Sequence, residues 1–244
     1  MSMKSILATL ALSLVGAALP AQAQEAAPEA ASPLSFNISG TTDYRYRGIS
    51  QSRLKPALQG GVDYAHESGF YIGSWASTIT WIKDGGGNAN FEWDFYGGYK
   101  TEIAKGLTVD VGVLQYYYPS HDLNPSPNTF EVYGALSFGP VTAKYSHSTT
   151  NLFGFADSKG SGYFDVSATF ELGEGFNLVP HVGHQTVKNN SAASYTDYSL
   201  AVTKDWWGLS FSAAVVGTDA DGFYTAKGKD LGKTSVVVAV KKVF

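Results

Sequence analysis

The residues of this sequence suited to binding ions or polar solutes are charged side chains that recur at every second position of short segments. Arg45 and Arg47 form one such pair, and Glu92 and Asp94 form another. Residues i and i+2 of a strand point to the same face, so each pair is expected to project side by side. Two guanidiniums hold anionic groups, whereas carboxylates attract cations. The candidates for one shared polar face are Asp43, Arg45, Arg47, Asp63, Glu92, Asp94, Lys100, Asp110, Glu131, Lys144, Asp165, Asp197 and Lys241.

Catalytic chemistry has little support among these residues. The five histidines are scattered, and no Gly-x-Ser-x-Gly nucleophile motif occurs. His181 and His184 lie three positions apart, which on a strand places them on opposite faces and argues against a paired metal site. We therefore expect no catalytic residue, no metal site and no cofactor.

Twelve segments of about ten residues show apolar side chains at alternate positions, which is typical of half-buried strands. In one of them Leu107, Val109 and Val111 alternate with Thr108 and Asp110. The predicted strands span residues 36–47, 57–66, 69–81, 91–103, 107–118, 129–138, 141–147, 163–172, 176–187, 195–205, 208–217 and 234–244.

The breaks between these segments alternate between two or three residues and seven or more. Short turns on one side and long loops on the other are typical of an antiparallel up-and-down transmembrane β-barrel. Counting outward from the short turns predicts that Ile103 faces Leu107, Phe138 faces Val141, Leu172 faces Phe176, Lys204 faces Leu209 and Tyr64 faces Tyr71. The same counting places Lys100 opposite Asp110.

Composition supports the barrel over a soluble sandwich, whose apolar face would point inward. Only 16% of the residues are charged, against roughly a quarter in soluble domains, and cysteine is absent. A net charge of −4 argues against a nucleic-acid partner. Aromatic residues near predicted strand ends suggest girdles at the membrane interfaces: Trp81, Tyr116, Tyr117, Tyr118, Trp206 and Trp207.

The first 23 residues have the layout of an export signal. Lys4 precedes an apolar stretch from Ile6 to Leu19, and Ala21-Gln22-Ala23 follows as a small-x-small cleavage site. Residues 24–33 carry nothing bulky and are interpreted as a flexible lead-in. The expected organisation is a signal peptide over 1–23, this lead-in, and one barrel domain over 34–244 in the bacterial outer membrane.

Several runs resemble the TorF-type family of outer-membrane porins over nearly the whole mature chain. They include Thr42-Asp43-Tyr44-Arg45-Tyr46-Arg47-Gly48-Ile49-Ser50-Gln51 and Ser68-Gly69-Phe70-Tyr71-Ile72-Gly73. The terminal Phe244 also resembles the closing aromatic that the barrel-insertion machinery reads, although Lys242 stands where an apolar residue is usual. The resemblance implies a porin, with no catalytic or ligand residues to carry over.

The function expected from these observations is passive passage of small solutes or ions through a narrow pore. With Glu171, the polar face carries nine acidic and five basic groups, which favours cations mildly. The same charges also suit ion pairs that only brace the barrel.

Two alternatives remain: a membrane-embedded hydrolase, and an adhesive barrel that acts through its loops. Those loops contain Phe153, Phe155, Phe223 and Tyr224. The expected partners are outer-membrane lipid, the insertion machinery and small solutes. The residues that close the pore are expected in the two longest loops, 148–162 and 218–233.

Overall fold

The computed structural model describes residues 32–244, so the expectations for the signal peptide and for residues 24–31 of the lead-in lie outside the described part. Twelve long strands form the wall. They are β1 (Leu34–Thr41), β2 (Ala57–Ala65), β3 (Phe70–Thr78), β4 (Phe91–Ala104), β5 (Leu107–Tyr117), β6 (Thr129–Phe138), β7 (Val141–Ser148), β8 (Gly162–Ala168 continued by Phe170–Gly173), β9 (Phe176–Thr186), β10 (Tyr195–Trp206), β11 (Leu209–Thr218) and β12 (Ser235–Val243).

The strands form a closed antiparallel barrel in which each strand pairs with its neighbours in the chain. The first and last strands close it, with Asn37 opposite Val243 and Thr41 opposite Ala239. Phe244 extends this seam, since its amide donates to the carbonyl of Phe36 at 2.8 Å. The predicted fold class, a twelve-stranded up-and-down barrel, is confirmed.

Side chains alternate between an apolar outer face and a polar inner face. On β4, Phe91, Trp93 and Phe95 are 37%, 41% and 42% exposed, whereas the intervening Glu92 and Asp94 are 1% and 0% exposed. Rings exposed on the outside and carboxylates buried inside reverse the arrangement of a soluble barrel, whose apolar side chains fill the interior. The register also confirms that Lys100 lies opposite Asp110.

Two predicted strands end earlier than the alternation suggested. The first ends at Thr41 and not at residue 47, because the chain leaves the wall there. The third ends at Thr78, and Trp81 begins a short helical turn, Trp81–Asp84. A second short turn of helix spans Ser191–Ala193. No helix within residues 32–244 is long and apolar enough to cross a membrane.

Of the five predicted hairpin pairs, only Phe138 opposite Val141 is confirmed. Leu107 faces Ala104, Phe176 faces Gly173, Leu209 faces Trp206, and Tyr71 faces Ala65. Two causes account for three of the shifts. Irregular registers follow Glu102 and Glu171, and tight turns use residues with positive φ, such as Trp207 at 53° and Gly208 at 70°.

The predicted aromatic girdle is correct in part. Tyr117, Trp206 and Trp207 lie on the outer face, where the two tryptophans stack at 3.9 Å between ring centroids. Tyr116 and Tyr118 are only 1% exposed and point inward, and Trp81 packs with them at the mouth of the barrel. Tyr116 occupies an inward position of β5, whereas Tyr118 and Trp81 lie just beyond the ends of β5 and β3, so none of the three reaches the outer face.

Candidate functional site

The segment between β1 and β2 crosses the inside of the barrel; we name residues 42–56 the insert. Arg45–Tyr46 pairs with Ile49–Ser50 as a small hairpin with Arg47 and Gly48 at its tip. Both tip residues have positive φ, 45° and 79°, as the tightest hairpin turn requires. A Cβ on Gly48 would lie 2.7 Å from Cβ of Asp197, so the tip lies against the inner wall at β10.

Arg47 joins the tip of the insert to three wall strands. Its guanidinium donates to Glu131 at 2.7 Å and to Gln185 at 2.6 Å. It also lies over the rings of Tyr46 and Tyr163, at 4.8 Å and 4.1 Å from their centroids. Desolvation by burial lowers the pKa of Arg47, but Glu131, Tyr46 and Tyr116 together raise the pKa by more, so it lies well above its ordinary value. The cation at the tip therefore stays charged and bound to the wall.

Arg45 fixes the base of the insert. It forms an ion pair with Asp43 at 2.5 Å and donates to the carbonyls of Gly48 and Leu231 at 2.8 Å and 2.9 Å. Asp43 also accepts hydrogen bonds from Ser50 and Ser52. The structure therefore has the predicted pairing of Arg45 with an acidic neighbour. The base of the insert is held together by this ion pair and by the hydrogen bonds around it.

Glu92 binds tyrosines and not arginine. Its two carboxylate oxygens accept hydrogen bonds from the hydroxyls of Tyr44 at 2.7 Å and Tyr118 at 2.9 Å. Tyr44 is fully buried and packs edge-on against Trp75, 5.5 Å between ring centroids. Asp94 is also fully buried, and neither of its oxygens meets a donor in the described part of the chain. The loop end of the lumen is thus filled by the insert and the rings around it.

Five of the remaining candidates lie on the inner wall nearer the short turns: Asp63, Lys100, Asp110, Lys144 and Lys241. Asp63 accepts a hydrogen bond from Tyr96, and Asp110 accepts one from Tyr71 at 2.6 Å. Lys144 lies 4.0 Å from the ring centroid of Tyr133. All thirteen predicted side chains are buried or half-buried inside the barrel, three on the insert and ten on the inner face of the wall strands: Asp43, Arg45, Arg47, Asp63, Glu92, Asp94, Lys100, Asp110, Glu131, Lys144, Asp165, Asp197 and Lys241. Their role in lining a conducting pore stays a prediction.

The histidines follow the predicted geometry, with His181 inside the barrel and His184 exposed outside. Nδ1 of His181 lies 3.5 Å from Asp197, and its Nε2 lies 3.9 Å from Asp165. Tyr163 donates to Asp197 at 2.8 Å. Within residues 32–244 no three histidine or acidic side chains are grouped as metal ligands.

The insert is the element that sequence reasoning missed, because the two longest loops were expected to close the pore. Both loops also fold inward and pack on the insert: Phe153 lies 5.3 Å from Tyr46 between ring centroids, and the carbonyl of Leu231 accepts a hydrogen bond from the amide of Ser50 at 3.0 Å. The available signal was Arg47-Gly48, whose glycine suits the positive φ of a tight turn within an apparently continuous strand.

The chain belongs to the family described as bacterial protein of unknown function (Gcw_chp), which matches residues 25–244. No curated protein matches the sequence. The family match does not test the resemblance to TorF-type porins, which stays a prediction.

Solved porins share the fold. The chain is similar to the KdgM porin with a TM-score of 0.57 and 7% identity, over 86% of this chain and 99% of that one. The NanC porin matches with a TM-score of 0.57 and 12% identity, over 85% and 98%. The KdgM porin in complex with disordered oligogalacturonate matches with a TM-score of 0.54 and 6% identity, over 86% and 98%. At these identities the likeness establishes the barrel fold alone.

Proposed function

We propose that this protein is an outer-membrane, porin-like channel for small solutes, narrowed by the insert. The observation that carries the proposal is a closed barrel with rings on its outer face and charges on its inner face. Apolar side chains outside suit lipid, and a polar interior suits water and dissolved solutes. The similarity to the KdgM and NanC barrels supports the same function.

The orientation follows from the connections. Short turns face the periplasm in barrels of this class, and long loops face outward. The insert, the helical turn and the two longest loops then lie at the outer mouth, while both ends of the barrel domain lie on the periplasmic side. The ammonium group of Lys242 donates a hydrogen bond to the carbonyl of Gly208 at 3.0 Å and lies 5.8 Å from the centroid of the Phe244 ring. This position is typical of a lysine at the membrane–water interface, where the apolar part of the side chain faces lipid and the charge faces water.

The lumen charges favour cations over anions. Arg45 and Arg47 are each neutralised by a carboxylate, so they offer little attraction to an anion. The inner wall carries more carboxylates than ammonium and guanidinium groups, and such an excess favours cations in a narrow pore.

We expect the purified protein to form small channels in planar bilayers, with a reversal potential under a KCl gradient that indicates a mild preference for potassium. Neutralising Asp110 and Asp165 with asparagine should reduce that preference, because both face the lumen. Asp122, in an outer loop, provides the control variant. Preference for chloride would contradict the charge argument, and the lack of any channel in both the natural protein and a variant without the insert would contradict the channel itself.

Export and assembly are proposed from the two ends of the chain. Protein recovered from the outer membrane should begin at Gln24 on N-terminal sequencing, since the cleavage motif ends at Ala23. Deletion of Phe244 should lower the yield in that fraction, because the residue closes the β1–β12 seam and carries the proposed signal for the insertion machinery. A protein that still begins at Met1, or one that is recovered from the inner-membrane fraction, would refute the export proposal.

A further inference from the structure

A chamber lies at the loop end of the barrel, above the insert. Its volume is about 310 Å³, near the lower end of the roughly 300–1,000 Å³ typical of small-molecule sites. Aromatic rings form a large part of its wall, and they include Tyr46, Trp81, Tyr118, Phe153, Phe155 and Phe223. None of the charge-bearing candidates predicted from the sequence lines it, so the chamber is a feature separate from the charged lumen.

The rings of the chamber are held in place by one another. Phe153 makes edge contacts with Tyr46 and Tyr116, with centroids 5.3 Å and 5.1 Å apart. Trp81 packs edge-on against Tyr118 at 5.0 Å. Phe155 and Phe223 come from different loops and lie at 29° to each other, 6.5 Å between centroids. The chamber is therefore preformed, which lowers the entropic cost of binding a ligand.

The chamber walls are uncharged in effect. Among the described residues that line the chamber, one side chain, that of Asp84, is charged. Arg53 donates hydrogen bonds to both of its carboxylate oxygens and so neutralises it. Side chains of Gln51, Tyr195 and Thr225 add polar groups between the rings. Tyr224 is fixed as a donor to the carbonyl of Ala193 at 2.6 Å, and burial raises the pKa of its hydroxyl, so it stays neutral.

We propose that this chamber binds neutral saccharides of about disaccharide size before they enter the barrel. A sugar ring has an apolar C–H face that packs on aromatic rings and an edge of hydroxyls that bonds amide and hydroxyl groups, and the chamber offers both. An anionic saccharide would lose hydration against walls without a free cation. Entry into the barrel rests on the proposed channel function, but binding does not.

Calorimetric titration of the full protein in detergent tests the proposal with three probes: maltose as a neutral disaccharide, digalacturonate as an anionic one, and benzamide as a planar neutral aromatic. Maltose should bind, and Phe223→Ala should weaken it about ten-fold, the loss expected for one stacking ring. Phe153→Ala should weaken it too. Phe91→Ala removes a similar ring from the outer face of the barrel and should leave binding unchanged.

Phe223 is 46% exposed and makes its ring contacts in the outer loops, so its replacement leaves the insert packed even where loss of Phe153 loosens it. Equal or tighter binding of digalacturonate would overturn the neutral class, and binding of benzamide alone would overturn the saccharide. Failure of all three to bind would overturn the site. Maltose binding in a protein that forms no channel would refute the channel and leave this inference standing.

Discussion

Replacement of residues 42–56 by an Asn-Gly turn is expected to raise the single-channel conductance roughly three-fold or more, because it empties the loop end of a twelve-stranded lumen. The geometry permits the change, since Thr41 and Ala57 are already direct partners on neighbouring strands. Asn-Gly favours the two-residue turn that joins such a pair. Glu92 and Glu131 would then face water in place of Tyr44 and Arg47 of the insert. Planar-bilayer recordings of the two proteins under the same salt give the comparison.

A pair of point substitutions tests the same closure without shortening the chain. Arg47→Ala alone would leave Glu131 buried without its partner, at a cost of about 3–5 kcal/mol for breaking a buried pair. Arg47→Ala with Glu131→Ala removes both charges, so the barrel keeps its stability while the tip of the insert loses its strongest contact. We expect the double variant to show frequent openings to the conductance of the shortened protein.

Arg53→Ala with Asp84→Ala is the matched control for the double variant at Arg47 and Glu131. Arg53 lies in the same insert, but it binds Asp84 at the mouth and not the inner wall. Loss of this pair should leave the conductance unchanged. If the shortened protein, folded by circular dichroism and by its heat-modifiable mobility on gels, conducts no better than the natural one, the insert is not what restricts the lumen.

The barrel was predictable because its causes are local. Alternation on β4 sends Trp93 outward and Asp94 inward with a period of two, and the sequence displays that period directly. The even number of strands followed from the regular alternation of short turns and long loops. The inward position of the ten charged candidates on the wall strands needed only this parity, whereas Asp43, Arg45 and Arg47 lie in the insert.

The insert could not be read in the same way. Tyr44 and Tyr46 alternate with Asp43, Arg45 and Arg47, which is the pattern of a wall strand. Only tertiary contacts, such as the hydrogen bonds from Tyr44 to Glu92 and from Arg47 to Glu131, take the segment across the lumen. Those partners are 48 and 84 residues away, and a single sequence carries no information about such separations.

The chamber escaped prediction for a related reason. Phe153, Phe155 and Phe223 were recognised as aromatic loop residues, but the sequence does not say which loops meet. Ring contacts between residues 148–162 and 218–233 depend on the closure of the barrel, which brings β7–β8 and β11–β12 loops to the same rim. The proposed role of these loop aromatics therefore depends on the topology and not on a local motif.

Gly98→Val is expected to have the largest effect on the stability of the barrel. Gly98 lies on the inner face of β4, and the ring of Tyr71 crosses it; a Cβ there would lie 2.7 Å from Cζ of Tyr71 and 2.5 Å from the carbonyl oxygen of Val111. Because the Val111 backbone on one side cannot move away, the Tyr71 ring must be displaced. Its displacement breaks the hydrogen bonds of Tyr71 to Asp110 and Tyr133. We expect a loss of about 3 kcal/mol or more, from overpacking together with a buried polar group left unpaired.

Gly134→Val is the control, since it places the same side chain on β6 with no atom within 4 Å of the new Cβ. Gly134 is exposed on the outer face, where valine suits lipid and strand geometry. Urea unfolding of each protein in lipid vesicles, followed by tryptophan fluorescence, should shift the midpoint strongly downward for Gly98→Val and leave it unchanged or raised for Gly134→Val. Equal midpoints for the two variants would mean that Tyr71 rests on Gly98 without supporting the barrel.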